Sequence, residues 1–175
     1  MSSKNPSAVG TAQTSVARVT DGSIPTIYVP NVAHTYTSSL FHCVFSTKQR
    51  MHILRDPQGL WRYVAGICKA KQIVLVTAGG TTNHVHLLID LHPSTPLSKA
   101  LQEIKGNSSR WLNESQRFAW QEGYGAFSVS QSQRAAVIRY IDNQEEHHRK
   151  RSFEEEFVAL LRKCGMSCDP KYVFG

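Results

Sequence analysis

Two short stretches of this chain combine residue types that can do chemistry. The first is His84-Val85-His86, within NHVHLLID. Side chains of a strand alternate between its faces, so both imidazoles point to one side and Val85 to the other. Two nitrogen donors converging beside Leu87-Leu88-Ile89 suit a metal ion, and they also suit a pair of hydrogen-bonded histidines; the triplet alone leaves both readings open. The second stretch is YIDNQ, which carries Tyr140 and Gln144. On a helix, this spacing sets the two one turn and about 40 degrees apart, on one surface. They lie at the rim of the apolar stripe of Val137 and Ile141. A phenol and an amide there can face one target, although a tyrosine on an amphipathic helix commonly serves packing alone. His147 and His148 follow, but helical neighbours diverge by about 100 degrees, so one ion is not expected to take both. They read as surface residues or contacts to a bound partner.

The elements that must position these residues show as a succession of periods. Residues 1–33, rich in Ser, Thr, Ala and Val with Pro6, Pro25 and Pro30, have no sustained period and predict a flexible arm. Tyr36 to Phe45 reads as a strand, with the basic cluster Lys48-Gln49-Arg50 at its exit. Asp56-Pro57 opens a helix in which Leu60, Trp61, Val64 and Ile67 recur up to about Lys71. Ile73 to Ala78 and His84 to Leu91 predict an antiparallel hairpin around Gly79-Gly80-Thr81-Thr82-Asn83. Pro96 opens a second helix whose stripe is Leu97, Ala100, Leu101 and Ile104. Gly123 and Gly125 precede a short strand, Ala126 to Ser130. A third helix is expected from about Gln133 through Gln144. Beyond it, a charged stretch continues or restarts a helix anchored by Phe153, Phe157, Leu160 and Leu161, with Gly165 as its stop.

The order β, α, β, β, α, β followed by helices predicts an α+β fold of the ferredoxin-like, split βαβ type. Such a fold has a four-stranded antiparallel sheet with helices on one face, here with a C-terminal helical extension. One domain over residues 34–165 is expected, with a tail from 166 to 175. This architecture hosts unrelated activities, so it does not by itself assign one.

With 175 residues, 41% hydrophobic and 19% charged, the composition is that of a globular protein. No apolar run approaches the roughly 18 residues of a membrane span, and no secretory signal is apparent, which predicts a soluble, cytoplasmic protein. Cys43, Cys68, Cys164 and Cys168 lack zinc-knuckle or redox spacing and read as reduced structural thiols. The net charge of +7 suits a polyanionic partner. Its distribution is more telling: residues 34–144 hold twelve Lys or Arg against six Asp or Glu. The positive field belongs to the folded middle.

The His-hydrophobic-His strand and the later YIxNQ helix together resemble the single-tyrosine HUH transposases. That family includes the transposases of the smallest bacterial insertion sequences and their REP-associated relatives. The similarity runs from about His34 to Cys164, through TKQR, NHVHLLI, the following helix with Lys105, and WQEGYGAFSVS. It implies that His84, His86 and Gln144 hold a divalent metal, Mg²⁺ or Mn²⁺, and that Tyr140 is the nucleophile. It further implies cleavage and rejoining of single-stranded DNA near an imperfect hairpin, through a 5′-phosphotyrosine link. Lys48, Arg50, Lys105 and Arg110 are reasonable phosphate contacts, and Trp111 or Trp120 is a stacking candidate when not a core residue. Some relatives share active sites across a homodimer, and others act as monomers. The long N-terminal arm and the charged C-terminal helix set this chain nearer the REP-associated branch.

Two other classes compete. A metal-independent, ferredoxin-like nucleic-acid-binding module accounts for the charge but leaves both the histidine pair and the Tyr-Gln register accidental. The other is a zinc-dependent hydrolase using His84 and His86 with a carboxylate such as Asp90 or a distant histidine; Asp90 reaches poorly, because it lies about 13 Å along the strand from His86.

Overall fold

The computed structural model describes residues 36–167. The expected N-terminal arm, most of the expected C-terminal tail and Cys168 lie outside the described residues. The elements follow in the order β1 (Leu40–Ser46), α1 (Pro57–Ala70), β2 (Val74–Gly80), β3 (His84–Asp90), α2 (Leu97–Leu112), β4 (Gly125–Ser128), α3 (Arg134–Asp142), α4 (Gln144–His148) and α5 (Phe153–Lys163). The four strands form one sheet in the order β2-β3-β1-β4. All neighbours are antiparallel. The split βαβ arrangement expected from the order of elements is the fold observed.

Strand alternation divides the sheet into two chemically different faces. Cys43, Phe45, Val85, Leu87 and Ile89 point to one side, where they pack with Leu60, Val64 and Ile67 of α1 and Ala100, Leu101 and Ile104 of α2. Asp56 starts α1 by accepting a hydrogen bond from the backbone N–H of Gly59 at 2.8 Å, with Pro57 in the first turn. On the other face, Leu40 and Leu88 pack with Ile141, and Val44 and Phe127 pack with Phe153. The two crossover helices thus occupy one face, and the C-terminal helices cover the face that carries the histidines. Burial on both sides explains why β3 is covered along nearly its whole length. It also explains why β3 reads as an apolar run after its second histidine.

Two local features set the position of the tyrosine helix. A Cβ on Gly79 would lie 2.3 Å from the carbonyl oxygen of Ile141, so only glycine lets α3 approach β2 this closely. The helix expected to run unbroken through Gln144 is instead interrupted at Asn143, whose backbone sits at φ −100, ψ 21. The Asn143 side chain donates to the carbonyl of Arg139 at 2.8 Å and so satisfies the end of α3. Among the described residues, no helix is long and apolar enough to cross a membrane. Cys43, Cys68 and Cys164 are free thiols, and burial pushes Cys43 up to about 12.

Candidate active site

His84 and His86 project from β3 into the layer beneath α3, α4 and α5, where both are almost fully buried. A buried imidazole must have its nitrogens satisfied, and its partners fix its tautomer. Nδ1 of His84 lies 2.7 Å from Oδ1 of Asn83, an oxygen that also accepts from the Thr81 hydroxyl at 3.0 Å. An amide oxygen only accepts, so His84 donates from Nδ1 and its Nε2 carries a lone pair. That lone pair faces Oε1 of Gln144 at 3.3 Å. The Gln144 amide is oriented this way because its nitrogen donates to Oε1 of Glu156 at 3.0 Å and to the Tyr140 carbonyl at 3.4 Å. Two acceptors therefore point at each other.

His86 is held from behind by His42 of β1, with Nε2 of His42 2.9 Å from Nδ1 of His86. Its own Nε2 is buried without a hydrogen-bond partner. Glu156 of α5 completes the layer: its Oε2 lies 3.5 Å from His86 Nε2 and 3.9 Å from His84 Nε2, and accepts from His148 Nε2 at 2.7 Å. The Tyr140 hydroxyl donates to the other carboxylate oxygen. Its ring stands edge-on to His86 with centroids 5.8 Å apart, and to His147 at 5.3 Å.

Burial, followed by repulsion from His86, lowers His84 and His42 to about 3, so both are neutral at physiological pH. His86 is lowered as well, chiefly by burial. Burial alone would raise Glu156, but its hydrogen bond with His148 and the proximity of His86 and Tyr140 outweigh it and hold the carboxyl ionised. For His148 burial opposes the charged form, and the carboxylate partner prevails and raises it. Tyr140 is raised by burial and by the adjacent carboxylate, so its phenol stays protonated. Neutral imidazoles, one orphaned ring nitrogen and an opposed pair of acceptors fit a divalent cation, and His84, His86 and Gln144 are placed to hold it.

Sequence reasoning assembled His84, His86, Tyr140 and Gln144, and these four lie together. It missed His42, Glu156 and the part played by His148. The surface reading of His148 is corrected: the short helix α4 turns it inward onto Glu156, and its side chain is only 11% exposed. His147 is also partly turned in, its Nε2 3.7 Å from Oε1 of Glu156, although it lies outside the group of ligand atoms formed by His84, His86, His148 and Glu156. Among the expected phosphate contacts, Lys48 and Arg110 are exposed. Arg50 pairs with Glu154 at 2.7 Å, and Lys105 donates to the carbonyls of Gln121 and Gly123 beneath the ring of Phe45. Trp120 is a core residue donating to Ser108, and Trp111 stacks on Tyr63. Asp90 binds the backbone N–H of Ser39 at the far end of β3 from His84, remote from this site.

Comparison with known proteins gives a consistent result. Residues 35–144 match the family model described as "Transposase IS200 like". The transposases for insertion sequence element IS200 from Salmonella typhimurium and Salmonella typhi are each 25% identical over 125 residues, covering 65% of this chain and 82% of theirs. The crystal structure of a Deinococcus radiodurans chain described as a transposase aligns with a TM-score of 0.52 at 24% identity, over 66% of this chain and 98% of that one. A REP-associated tyrosine transposase bound to a REP hairpin aligns with a TM-score of 0.53 at 13% identity, over 69% of this chain and 74% of that one. The two structures share the fold, and the family model spans most of this chain: it belongs to the IS200-like transposase family.

Proposed function

We propose that this chain cuts and rejoins single-stranded DNA, with Tyr140 as the nucleophile and His84, His86 and Gln144 holding a divalent metal. The observation that carries the reading is the convergence of Tyr140 and Gln144 on the histidine strand, made possible by the close approach of α3 and the break at Asn143. The ion, Mg²⁺ or Mn²⁺ in this reading, supplies a Lewis acid that offsets charge developing on the scissile phosphate. Tyr140 loses its proton and its oxygen bonds to phosphorus, while the bond to the 3′ oxygen breaks. The products are a 5′-phosphotyrosine link and a free 3′-hydroxyl. The ester retains the energy of the original bond, so a different 3′-hydroxyl can reverse the step and join new DNA without ATP.

The REP-associated relative binds a DNA hairpin, and the charge of this chain's folded middle suits a similar substrate. Exposed Lys48 and Arg110 are the expected phosphate contacts, with Arg50 and Lys105 acting near the loops they brace. Tyr140 and both histidines meet within one chain, which favours a site complete in each monomer over one shared across a homodimer. The test incubates the protein with hairpin-bearing single-stranded oligonucleotides from the DNA flanking its gene, with Mg²⁺ or Mn²⁺, on a denaturing gel. A covalent adduct is expected, absent from Y140F and H84A, and not restored when those two variants are mixed. Restoration would show a shared site. Binding without an adduct on any hairpin substrate would replace this reading with a metal-independent nucleic-acid-binding module.

A further inference from the structure

The match to the family ends at residue 144, yet the buried centre receives two more chemically active groups from beyond it. They come from α4 and α5. Ser152 begins α5 with a full capping box: its side chain accepts from the Glu155 N–H, and the Glu155 carboxylate accepts from the Ser152 N–H. This box sets the phase of the helix, and the next residue, Glu156, is turned onto the sheet at 3% exposure. A carboxylate so deeply buried needs strong compensation, and its surroundings are rich in imidazole. His148 Nε2 lies at 2.7 Å, His86 Nε2 at 3.5 Å and His84 Nε2 at 3.9 Å from the same oxygen. Ligand atoms of His84, His86, His148 and Glu156 all fall within 4.8 Å of one another. His86 Nε2, buried and without a hydrogen-bond partner, is aimed into this group.

We infer that Glu156 and His148 are metal ligands, supplied by the C-terminal helices to the centre that His84 and His86 begin, and that its ion is a first-row transition metal in preference to Mg²⁺. The inference rests on the reading of His84 and His86 as metal ligands. Its chemistry follows from the donor set. Mg²⁺ favours oxygen and gives up its waters reluctantly, whereas three imidazoles with one carboxylate suit the borderline ions of the first transition row. With the Gln144 amide included there are five protein donors, which a six-coordinate ion such as Mn²⁺ accommodates. On binding, the proton on His148 Nε2 would be released to solvent, and its hydrogen bond to Glu156 would give way to two bonds to one cation.

The test titrates the metal-free, full-length protein with Mn²⁺, following the paramagnetic resonance of the free ion, for the unsubstituted chain, E156Q, H148A and H84A. Weakening of about tenfold or more is expected in E156Q and in H148A, with Mn²⁺ retained against about a hundredfold excess of Mg²⁺. X-ray absorption of the unsubstituted complex should count three imidazoles. If H84A loses Mn²⁺ while E156Q and H148A bind within about twofold of the parent, the added ligands are wrong and the metal reading stands. If the unsubstituted chain binds no metal, or H84A binds as well as the parent, both fall together. Displacement by Mg²⁺ would overturn the ion preference. Circular dichroism checks the fold of each variant, and should E156Q not fold, a count of two imidazoles in the unsubstituted protein would itself overturn the ligand set.

Discussion

His42 illustrates how a residue outside the chemistry can govern it. Its ring contacts His86 Nδ1 at 2.9 Å and stacks on the His86 ring, so it selects both the orientation and the tautomer of a residue argued to bind metal. Removing such a supporting partner typically weakens metal affinity 10–100-fold. His42→Ala is therefore expected to lower Mn²⁺ affinity by roughly that factor while leaving all the direct ligands in place, as a calorimetric titration would show. The same buried imidazoles impose a pH signature on the metal-free protein. His42 and His84 have folded pKa values of about 3, below the ordinary 6.5 of the unfolded chain. Stability is full above pH 6.5 and is lost as pH falls toward 3, because the unfolded chain then takes protons the folded one refuses. The loss is on the order of 1 kcal/mol per pH unit for each histidine. His148, raised by Glu156, acts in the opposite sense: its contribution is complete below 6.5 and disappears as pH rises through its elevated folded value. Urea midpoints measured from pH 8 to 4 should thus fall steeply only on the acid side; a flat profile there would show that the imidazoles are not buried in their neutral form.

At the scale of elements, the sheet and both crossover helices were legible because their signals are local. A β-rich run after a Gly-bearing segment marked β3, proline opened α1, and apolar stripes of period 3.6 wrote α1 and α2. The layer over the histidines was harder to read. Glu156 sits in a strongly charged run, SFEEEFVALLRK, where nothing in composition separates the one inward carboxylate from its exposed neighbours. The phase of α5 was the available signal, since Phe153, Glu156, Phe157 and Leu160 recur at helical spacing on one side. His42 was similarly hidden until β1 was registered against β3, which places it on the His86 face. In the sequence Gly79 reads only as part of a turn-bearing segment, whereas its role is to admit α3. Gly79→Ala is accordingly expected to push α3 off β2, reduce adduct formation at least tenfold and cost about 2 kcal/mol, an overpacking effect measurable by denaturation. Gly66→Ala is the matched control: that glycine lies exposed within α1 with open space about its Cβ. It should raise stability by about 0.5–1 kcal/mol with cleavage unchanged.

For the whole molecule, the two-sided construction separates stability from function: α1 and α2 cover an apolar face, while the opposite face carries the polar centre and depends on the C-terminal helices for its cover. The positive charge that would draw DNA toward that centre is unevenly available. Lys48 and Arg110 are exposed, whereas Lys105 is half-buried, lowered by that burial, and committed to the carbonyls of Gln121 and Gly123. A lysine held by loop carbonyls and making no phosphate contact displaces no counterion from the DNA, so its removal should not resemble that of an exposed cation. For single-stranded DNA the logarithm of affinity falls against the logarithm of salt with a slope of about −0.7 per phosphate contact. Lys48→Ala and Arg110→Ala should each reduce the magnitude of the slope by about 0.7 in fluorescence-anisotropy titrations from 50 to 200 mM salt. Lys105→Met should leave the slope unchanged and instead lower the unfolding free energy by about 1 kcal/mol, because two loop carbonyls lose their donor. A fall in slope for Lys105→Met without loss of stability would mean that this lysine leaves the loop to meet the DNA, and the loop that it braces would then be part of the binding surface.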